Sequence, residues 1–165
     1  MKREGERVGE RKARRELERE SNGGVSVSVE NLASREDIDA VSSGLREFNT
    51  EFLGPPVLEP LHVFLRNDAG DVVGGLLGHT VYGWAYVAKL WVAAAFRGRG
   101  YGRALLAAAE TEAISRGCRG IHLDTFEYQA RPFYEKNGYS LFGTLEGYPA
   151  GYRQYYLAKN LETPR

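Results

Sequence analysis

The stretch that decides the fold is Arg97-Gly98-Arg99-Gly100-Tyr101-Gly102-Arg103. It lies between the apolar run 90–92 and an alanine- and leucine-rich segment with the composition of a helix. Glycine has no Cβ, so the backbone of such a loop can adopt positive φ values and come close to a ligand. The free N–H groups and the positive dipole end of a first helical turn attract an anion. A strand, a glycine loop and a helix start in this order therefore predict a pyrophosphate site, to which three arginines add positive charge.

The spacing of the glycines narrows the choice of ligand. A dinucleotide fingerprint needs G-x-G-x-x-G, and counting from Gly98 puts Arg103 at the last glycine. A phosphate loop of the NTPase type needs Lys followed by Ser or Thr, and the chain has no such pair. The pattern Q/R-x-x-G-x-G/A fits Arg97, Gly100 and Gly102, and it resembles the acetyl-CoA loop of the GNAT superfamily of N-acetyltransferases. For the loop taken alone, the alternative is a solvated basic turn.

A second segment resembles another part of the same superfamily. It reads Ala130-Arg131-Pro132-Phe133-Tyr134-Glu135-Lys136-Asn137-Gly138-Tyr139 and matches A-x-x-F-Y-x-K-x-G-F/Y. It lies about thirty residues beyond the glycine loop, where that superfamily places it. By these two patterns, in this order and separation, the chain is identified as a member of the GNAT superfamily, similar to its small bacterial members. The resemblance covers roughly residues 25–161.

Composition excludes several other classes of protein. The formal net charge is zero, so nothing in the overall charge predicts a nucleic acid or an anionic membrane as a partner. No apolar run approaches the roughly 18–20 residues that span a bilayer, and no secretory leader is recognisable. The single cysteine, Cys118, excludes an internal disulfide and is expected to be a structural thiol in a reducing compartment, which predicts a cytoplasmic protein. Three scattered histidines, at positions 62, 79 and 122, have no zinc-site spacing, so no metal is expected.

Patterning predicts one folded domain over residues 25–161, after a charged, flexible arm (1–24) and before a short tail (162–165). The expected strands are 25–29, 61–65, 72–81, 84–92, 121–125, 140–146 and 153–158, and the expected helices are 34–48, 100–116 and 130–137. The fold class is therefore mixed α/β. The resemblance implies a GNAT-like sheet of six or seven strands flanked by about four helices. The glycines at 74, 75 and 78 weaken their strand, and either a bulge with close backbone packing or the approach of a ligand explains them.

The resemblance implies that acetyl-CoA is the co-substrate and that the chain's residues bind it at three places. The backbone of Leu90, Trp91 and Val92 is expected to bond the pantetheine arm between two splayed parallel strands, and a backbone N–H near Val92 is expected to polarise the thioester carbonyl. The loop residues Arg97, Gly98, Arg99, Gly100, Tyr101, Gly102 and Arg103 are expected around the phosphates. Phe133 and Lys136 of the second motif are expected beside the cofactor.

The same resemblance implies acetyl transfer to a primary amine with Tyr134 as the acid that protonates the departing thiolate. Some members carry a glutamate as general base eleven residues before the glycine loop, where this chain has Tyr86. Asp124 and His79 are the remaining candidates for the base, besides a chain of water molecules. A second departure is Glu127, at a position where the family often has asparagine. This departure puts in doubt the hydrogen-bond network on the side of the cofactor's sulfur atom.

Three functions stay open at this point. The first is acetylation of a small-molecule amine, the second is acetylation of protein lysines or N-termini, and the third is binding of acetyl-CoA without turnover. A homodimer through the terminal strands is typical of the family, and the tyrosines at 152, 155 and 156 could serve a dimer or fill the core. Cofactor hydrolysis, or transfer to a panel of amines, separates the catalytic functions from the binding function.

Overall fold

The structure, a computed structural model, describes residues 25–161. The arm predicted for residues 1–24 and the tail predicted for 162–165 lie outside the described residues. The chain divides into two compact units, one ending at Glu47 and the other beginning at Phe48.

Helix α1 spans Arg35–Leu53 and crosses from the first unit into the second. A capping box begins this helix, because the Ser34 Oγ accepts a hydrogen bond from the Asp37 N–H at 3.0 Å and donates one to the Asp37 carboxylate at 2.6 Å. The helix ends before Gly54, whose φ is +72°. The prediction of a strand over 25–29 is wrong: Val25 forms an isolated bridge and the next five residues have no regular structure. An alternating pattern forms a strand only where a second strand supplies hydrogen bonds.

The second unit is built on a six-stranded sheet with the order β1-β2-β3-β4-β6-β5. The strands are β1 (Glu59–Arg66), β2 (Val72–Val81), β3 (Trp84–Val92), β4 (Gly120–Phe126), β5 (Ser140–Glu146) and β6 (Arg153–Asn160). Strands β3 and β4 are parallel, and all other neighbours are antiparallel. The predicted mixed α/β class is confirmed, with six strands.

Two helices connect strands of the sheet. Helix α2 spans Tyr101–Ser115 between β3 and β4, and the short α3 spans Arg131–Lys136 between β4 and β5. With α1 they make three α-helices within residues 25–161, rather than about four. None of these helices has the length and apolar content that crossing a bilayer requires.

The core lies between α2, α3 and one face of the sheet. Helix α2 buries Leu105, Leu106, Ala109 and Ala113, and Ile114 is partly buried beside them. Cys118 is buried against the same core, and burial raises the pKa of its thiol, as a structural cysteine requires. Tyr155 is also buried, whereas Tyr156 is half-buried and Tyr152 is exposed. Helix α2 ends at a glycine: Gly117 has a φ of +76° and donates its N–H to the Ile114 carbonyl at 2.9 Å.

Candidate active site

The parallel strands β3 and β4 separate part of the way along their length. Their pairing begins at Trp84 with Gly120 and ends at Val87 with Leu123. Strand β3 continues to Val92, paired on its other side with β2, and β4 continues to Phe126, paired with β6. One edge of β3 beyond Val87 and one edge of β4 beyond Leu123 are therefore left without a strand partner, and a gap opens between them.

A β-bulge in β3 lies where this pairing ends. The register between β2 and β3 shifts between Leu77, opposite Lys89, and Gly78, opposite Val87, so that Ala88 is the extra residue. A bulge bends its strand and increases the local twist, which separates β3 from β4. A Cβ on Gly78 would collide with the Tyr86 carbonyl. Backbone packing at the bulge therefore accounts for this glycine.

The other two glycines of β2 have a similar explanation. A Cβ on Gly74 would lie 3.0 Å from the Trp91 carbonyl oxygen, and one on Gly75 would lie 2.9 Å from the Val63 carbonyl oxygen. Real Cβ atoms are rarely so close to a backbone oxygen. The first of the two explanations offered for the glycines, a bulge with close backbone packing, is the one that the structure shows.

The open edge of β3 presents the backbone groups of two of the three residues expected to bond the pantetheine arm. The Ala93 N–H donates to the Val73 carbonyl at 2.8 Å, so the backbone of residue 93 is directed toward β2. Backbone groups alternate between the two edges of a strand. The N–H and carbonyl groups of Leu90 and Val92 are therefore directed into the gap, and those of Trp91 toward β2. The Arg97 Nε donates to the Val92 carbonyl at 2.8 Å, which leaves the Val92 N–H available to a ligand.

The glycine loop and the second motif line one cavity of about 470 Å³. Its walls are Leu90, Trp91, Val92, Phe96, Arg97, Gly98, Gly100, Tyr101, Gly102, Arg103, Ala130, Phe133 and Tyr134. The loop takes the conformation that its glycines allow, since φ is +73° at Gly98 and +84° at Gly100. Of these residues, sequence reasoning did not select Phe96, which directly precedes the glycine loop, or Ala130, the first residue of the second motif.

Two residues expected around the cofactor do not line this cavity. The guanidinium of Arg99 lies over the Phe96 ring, 5.9 Å from its centroid. Lys136 instead lines a neighbouring cavity of about 290 Å³. Arg103 contributes to both cavities and so joins them. Gly102 has a packing role, because a Cβ there would lie 3.2 Å from the ring of Phe133.

Tyr134 presents its hydroxyl to the cavity from the core side of the sheet. Its side chain is buried, but no group in residues 25–161 hydrogen-bonds the hydroxyl. Every fully enclosed polar side-chain atom in that part of the chain has a partner, so this oxygen must open onto the cavity. Burial, and secondarily the charge of Asp124, raise the pKa of Tyr134 to about 12, which keeps the phenol protonated at neutral pH.

The opposite face of the sheet carries a hydrogen-bonded group around Asp124. One carboxylate oxygen accepts from the Tyr86 hydroxyl at 2.8 Å, and the other accepts from the Gln154 amide at 2.6 Å. The Tyr156 hydroxyl donates to the Gln154 oxygen at 3.0 Å. Burial, followed by the hydrogen bond to Asp124, raises the pKa of Tyr86 to about 12. Tyr86 stands at the position where some family members have a glutamate. Its hydroxyl donates a hydrogen bond to the carboxylate of Asp124.

Two of the three histidines come together beside Tyr86. His79, Tyr86 and His122 are neighbours in the register of β2, β3 and β4, with ring centroids 5.6 Å and 5.0 Å apart. Burial, and then the proximity of His79, lower the pKa of His122. Sequence reasoning missed His122, Gln154 and Tyr156. The available signal was strand periodicity, which puts residues 122 and 124 on one face of β4.

Glu127 does not face the cavity. It accepts a hydrogen bond from the Arg153 guanidinium at 3.2 Å, and Arg153 also donates to Glu146 at 2.8 Å. At the position where the family often has an asparagine, this chain therefore has a glutamate that forms a surface ion pair.

Comparisons with known proteins agree with this geometry. The model of the acetyltransferase (GNAT) family matches residues 28–139. An acetyltransferase of Agrobacterium fabrum is 37% identical over 135 residues, which cover 82% of this chain and 98% of that protein. A blasticidin-S acetyltransferase of Streptomyces morookaense is 39% identical over 112 residues, covering 64% of this chain and 82% of that protein. The crystal structure of an acetyltransferase from Bacillus cereus superposes with a TM-score of 0.74 at 30% identity, covering 82% of this chain and 98% of that one.

Proposed function

The chain belongs to the acetyltransferase (GNAT) family, and from that membership we propose that it transfers an acetyl group directly from acetyl-CoA to the primary amine of a small molecule. The observation that carries the proposal is the open edge of β3, whose Leu90 and Val92 backbone groups share one cavity with the free hydroxyl of Tyr134. In one cavity, the strand edge can hydrogen-bond the amides of the pantetheine arm, and the phenol can reach the sulfur of the thioester.

The chemistry of the cavity suits acetyl-CoA. Amides of the pantetheine arm pair with the backbone of Leu90 and Val92 as an added strand would. The phosphates meet the N–H groups at the start of α2, where Gly98 and Gly100 let the backbone approach closely. Arg97 and Arg103 supply positive charge at the rim of the cavity. Acetyl-CoA brings an activated acetyl group as a thioester.

The residues around the gap then promote the transfer of the acetyl group from sulfur to nitrogen. The acceptor nitrogen attacks the thioester carbonyl carbon, a C–N bond forms and the C–S bond breaks. The Val92 N–H hydrogen-bonds the carbonyl oxygen while it gains negative charge. Tyr134 gives its proton to the departing sulfur, and the proton that the ammonium group loses goes to a base on the other side of the gap.

Asp124 is the better of the two candidates for that base. It is the first residue of β4 beyond the last pair with β3, so it lies at the opening of the gap. His79 is on β2, and Tyr86 lies between it and β4. The hydrogen bonds from Tyr86 and Gln154 hold the Asp124 carboxylate in one orientation, which makes these two residues positioning residues.

A small-molecule acceptor is supported by the name of one relative, the blasticidin-S acetyltransferase. The remaining parts of the proposal are a single folded domain over residues 25–161, Lys136 near the outer phosphates, and action in the cytoplasm. A homodimer remains a prediction.

Calorimetric titration with acetyl-CoA, followed by an assay of free thiol with a panel of primary amines, tests the proposal. We expect micromolar binding, about 8 kcal/mol, that is lost in the Arg97→Ala/Gly100→Trp variant. We also expect thiol release that depends on both the amine and Tyr134. Folded protein that does not bind acetyl-CoA would refute the proposal. Binding without transfer to any amine would favour the non-catalytic binding function.

A further inference from the structure

Four aromatic rings lie together at the end of β4 and in the loop between β5 and β6. They belong to Phe126, Tyr128, Tyr148 and Tyr152, and we call them the aromatic cluster. Phe126 stacks on Tyr128 with centroids 5.5 Å apart and also contacts Tyr148 at 5.8 Å, and Tyr128 meets Tyr152 edge-on at 5.1 Å. The three tyrosines are 47–59% exposed, and together the four rings form a preassembled apolar surface.

A cavity of about 370 Å³ adjoins the cluster through Tyr152. Its other walls are formed by Glu127, Glu146 and Arg153 with the glycines 147 and 151. Arg153 pairs with both glutamates, so this cavity has two negative charges and one positive charge. The chain as a whole has no net charge, whereas the charged residues that line this cavity have a net charge of −1.

The aromatic cluster is continuous with the candidate active site. Phe126 follows Asp124 by two residues on β4, so both side chains are on the same face of the sheet, about 7 Å apart along the strand. In the β4–β6 register Asp124 pairs with Tyr156 and Phe126 with Gln154, the residue whose amide bonds Asp124. A molecule with its amine at Asp124 therefore extends over the aromatic cluster.

We propose that the aromatic cluster and the adjoining cavity bind the part of the acceptor remote from its amine, and that they select a planar cation such as a guanidinium or an amidinium group. The inference rests on the proposed function and names the chemical class of its substrate. Exposed tyrosine faces attract cations, and a flat cation can stack on them. The excess of carboxylates attracts the same charge and disfavours an anionic or purely apolar acceptor.

The test compares two amines of equal charge and similar length. Agmatine carries a planar guanidinium at its far end, and 1,5-diaminopentane carries a tetrahedral ammonium. Dissociation constants are measured by calorimetry in the presence of coenzyme A, and kcat/KM is measured by thiol release. The variants are Tyr128→Leu/Tyr152→Leu, the conservative Tyr128→Phe/Tyr152→Phe, and the control Tyr82→Leu. Tyr82 is 42% exposed in the turn between β2 and β3, at the opposite end of the sheet.

We expect the wild type to bind agmatine about tenfold more tightly than 1,5-diaminopentane. In the leucine variant the dissociation constants of the two amines should become about equal. The preference for agmatine should persist in the phenylalanine variant, since Phe retains the ring face, and in the Tyr82→Leu control. Equal affinity for the two amines in the wild type, or a preference that survives in the leucine variant, would overturn the inference. Thiol release decides the proposed function separately: preferential binding of agmatine without any acetyl transfer would leave the subsite standing and reject the transferase activity.

Discussion

The hydroxyl of Tyr86 donates a 2.8 Å hydrogen bond to the carboxylate of Asp124, joining β3 to β4 just where their backbone pairing stops. The last backbone pair is Val87 with Leu123, so this side-chain contact continues the connection at the opening of the gap. It also fixes one oxygen of Asp124 while Gln154 fixes the other. The contact therefore links the splay of the strands to the orientation of the proposed base.

Replacing Asp124 should harm turnover far more than replacing its donor. We expect Asp124→Asn to lower kcat by about 10²–10⁴-fold, because the proton acceptor is lost. Tyr86→Phe removes one hydrogen bond to the carboxylate but leaves the proton acceptor in place, so it should lower kcat by no more than about tenfold. The KM for acetyl-CoA should stay unchanged in both variants, as steady-state thiol-release kinetics will report. Similar losses of kcat in the two variants would argue against Asp124 as the base.

Tyr134→Phe should lower kcat by about 10²–10⁴-fold at every pH tested, with acetyl-CoA binding retained. A phenol serves as an acid only below its pKa. Because the pKa of Tyr134 is raised to about 12, its contribution should be complete through the neutral range and should not produce an alkaline limb below about pH 11. The control is Tyr82→Phe in the β2–β3 turn. Full activity of Tyr134→Phe would leave the departing sulfur without its proposed acid.

The two glycines at the ends of α2 offer a matched pair of substitutions. Gly100 has a φ of +84° at the first end and Gly117 has +76° at the second. Alanine at either position should reduce the free energy of unfolding by about 1–2 kcal/mol, because an L side chain is disfavoured there. Only Gly100→Ala should also weaken acetyl-CoA binding, by calorimetry. Equal weakening by Gly117→Ala would attribute the effect to lost stability.

Gly78→Ala should destabilise the protein, because the new methyl group would collide with the Tyr86 carbonyl at the bulge. We expect a loss of about 1–3 kcal/mol in urea denaturation. Gly44 in helix α1 is the control, since a Cβ there meets nothing within 4 Å. Gly44→Ala should stabilise by about 0.5–1 kcal/mol through helix propensity. An unchanged urea midpoint for Gly78→Ala would show that β2 and β3 can move apart at the bulge.

Stability should fall in mild acid partly because of His122. Its pKa is lowered in the folded protein by burial and by His79, with an opposing effect from Asp124. The unfolded chain therefore binds the proton more tightly, and the free energy of unfolding should decrease as the pH falls below about 6.5. Urea denaturation at pH 7.5 and 5.5 should show a smaller loss for His122→Gln than for the wild type. His62→Gln, at an exposed position of β1, is the control.

Much of the secondary structure could be predicted because its signals are local. The strand over 84–92 and the strand over 140–146 have the predicted bounds, and helix α2 lies within one residue of them at each end. These segments carry apolar periodicity bounded by glycines that must adopt positive φ values. The strand over 25–29 failed because its alternating valines say nothing about whether a partner strand is available.

The candidate site was predictable only in part. The glycine loop and Tyr134 stand out as contiguous motifs, and the structure brings them to one cavity. Lys136 and Arg99 belong to the same motifs but do not line that cavity, since neighbours along a helix or a loop point in different directions. Gln154 lies 30 residues from the carboxylate that it bonds, so no local pattern selects it.

The sequence by itself determined the family, the α/β class, the glycine loop and the identity of the proposed acid, because each depends on residues close together in the chain. The tertiary structure alone decided where β3 and β4 separate, which backbone groups face the gap, and that Tyr86, His122, Asp124 and Gln154 meet on one face of the sheet. These contacts depend on strand register. The glycines of β2 are compatible with a bulge, but they do not show which residue of β3 is the extra one.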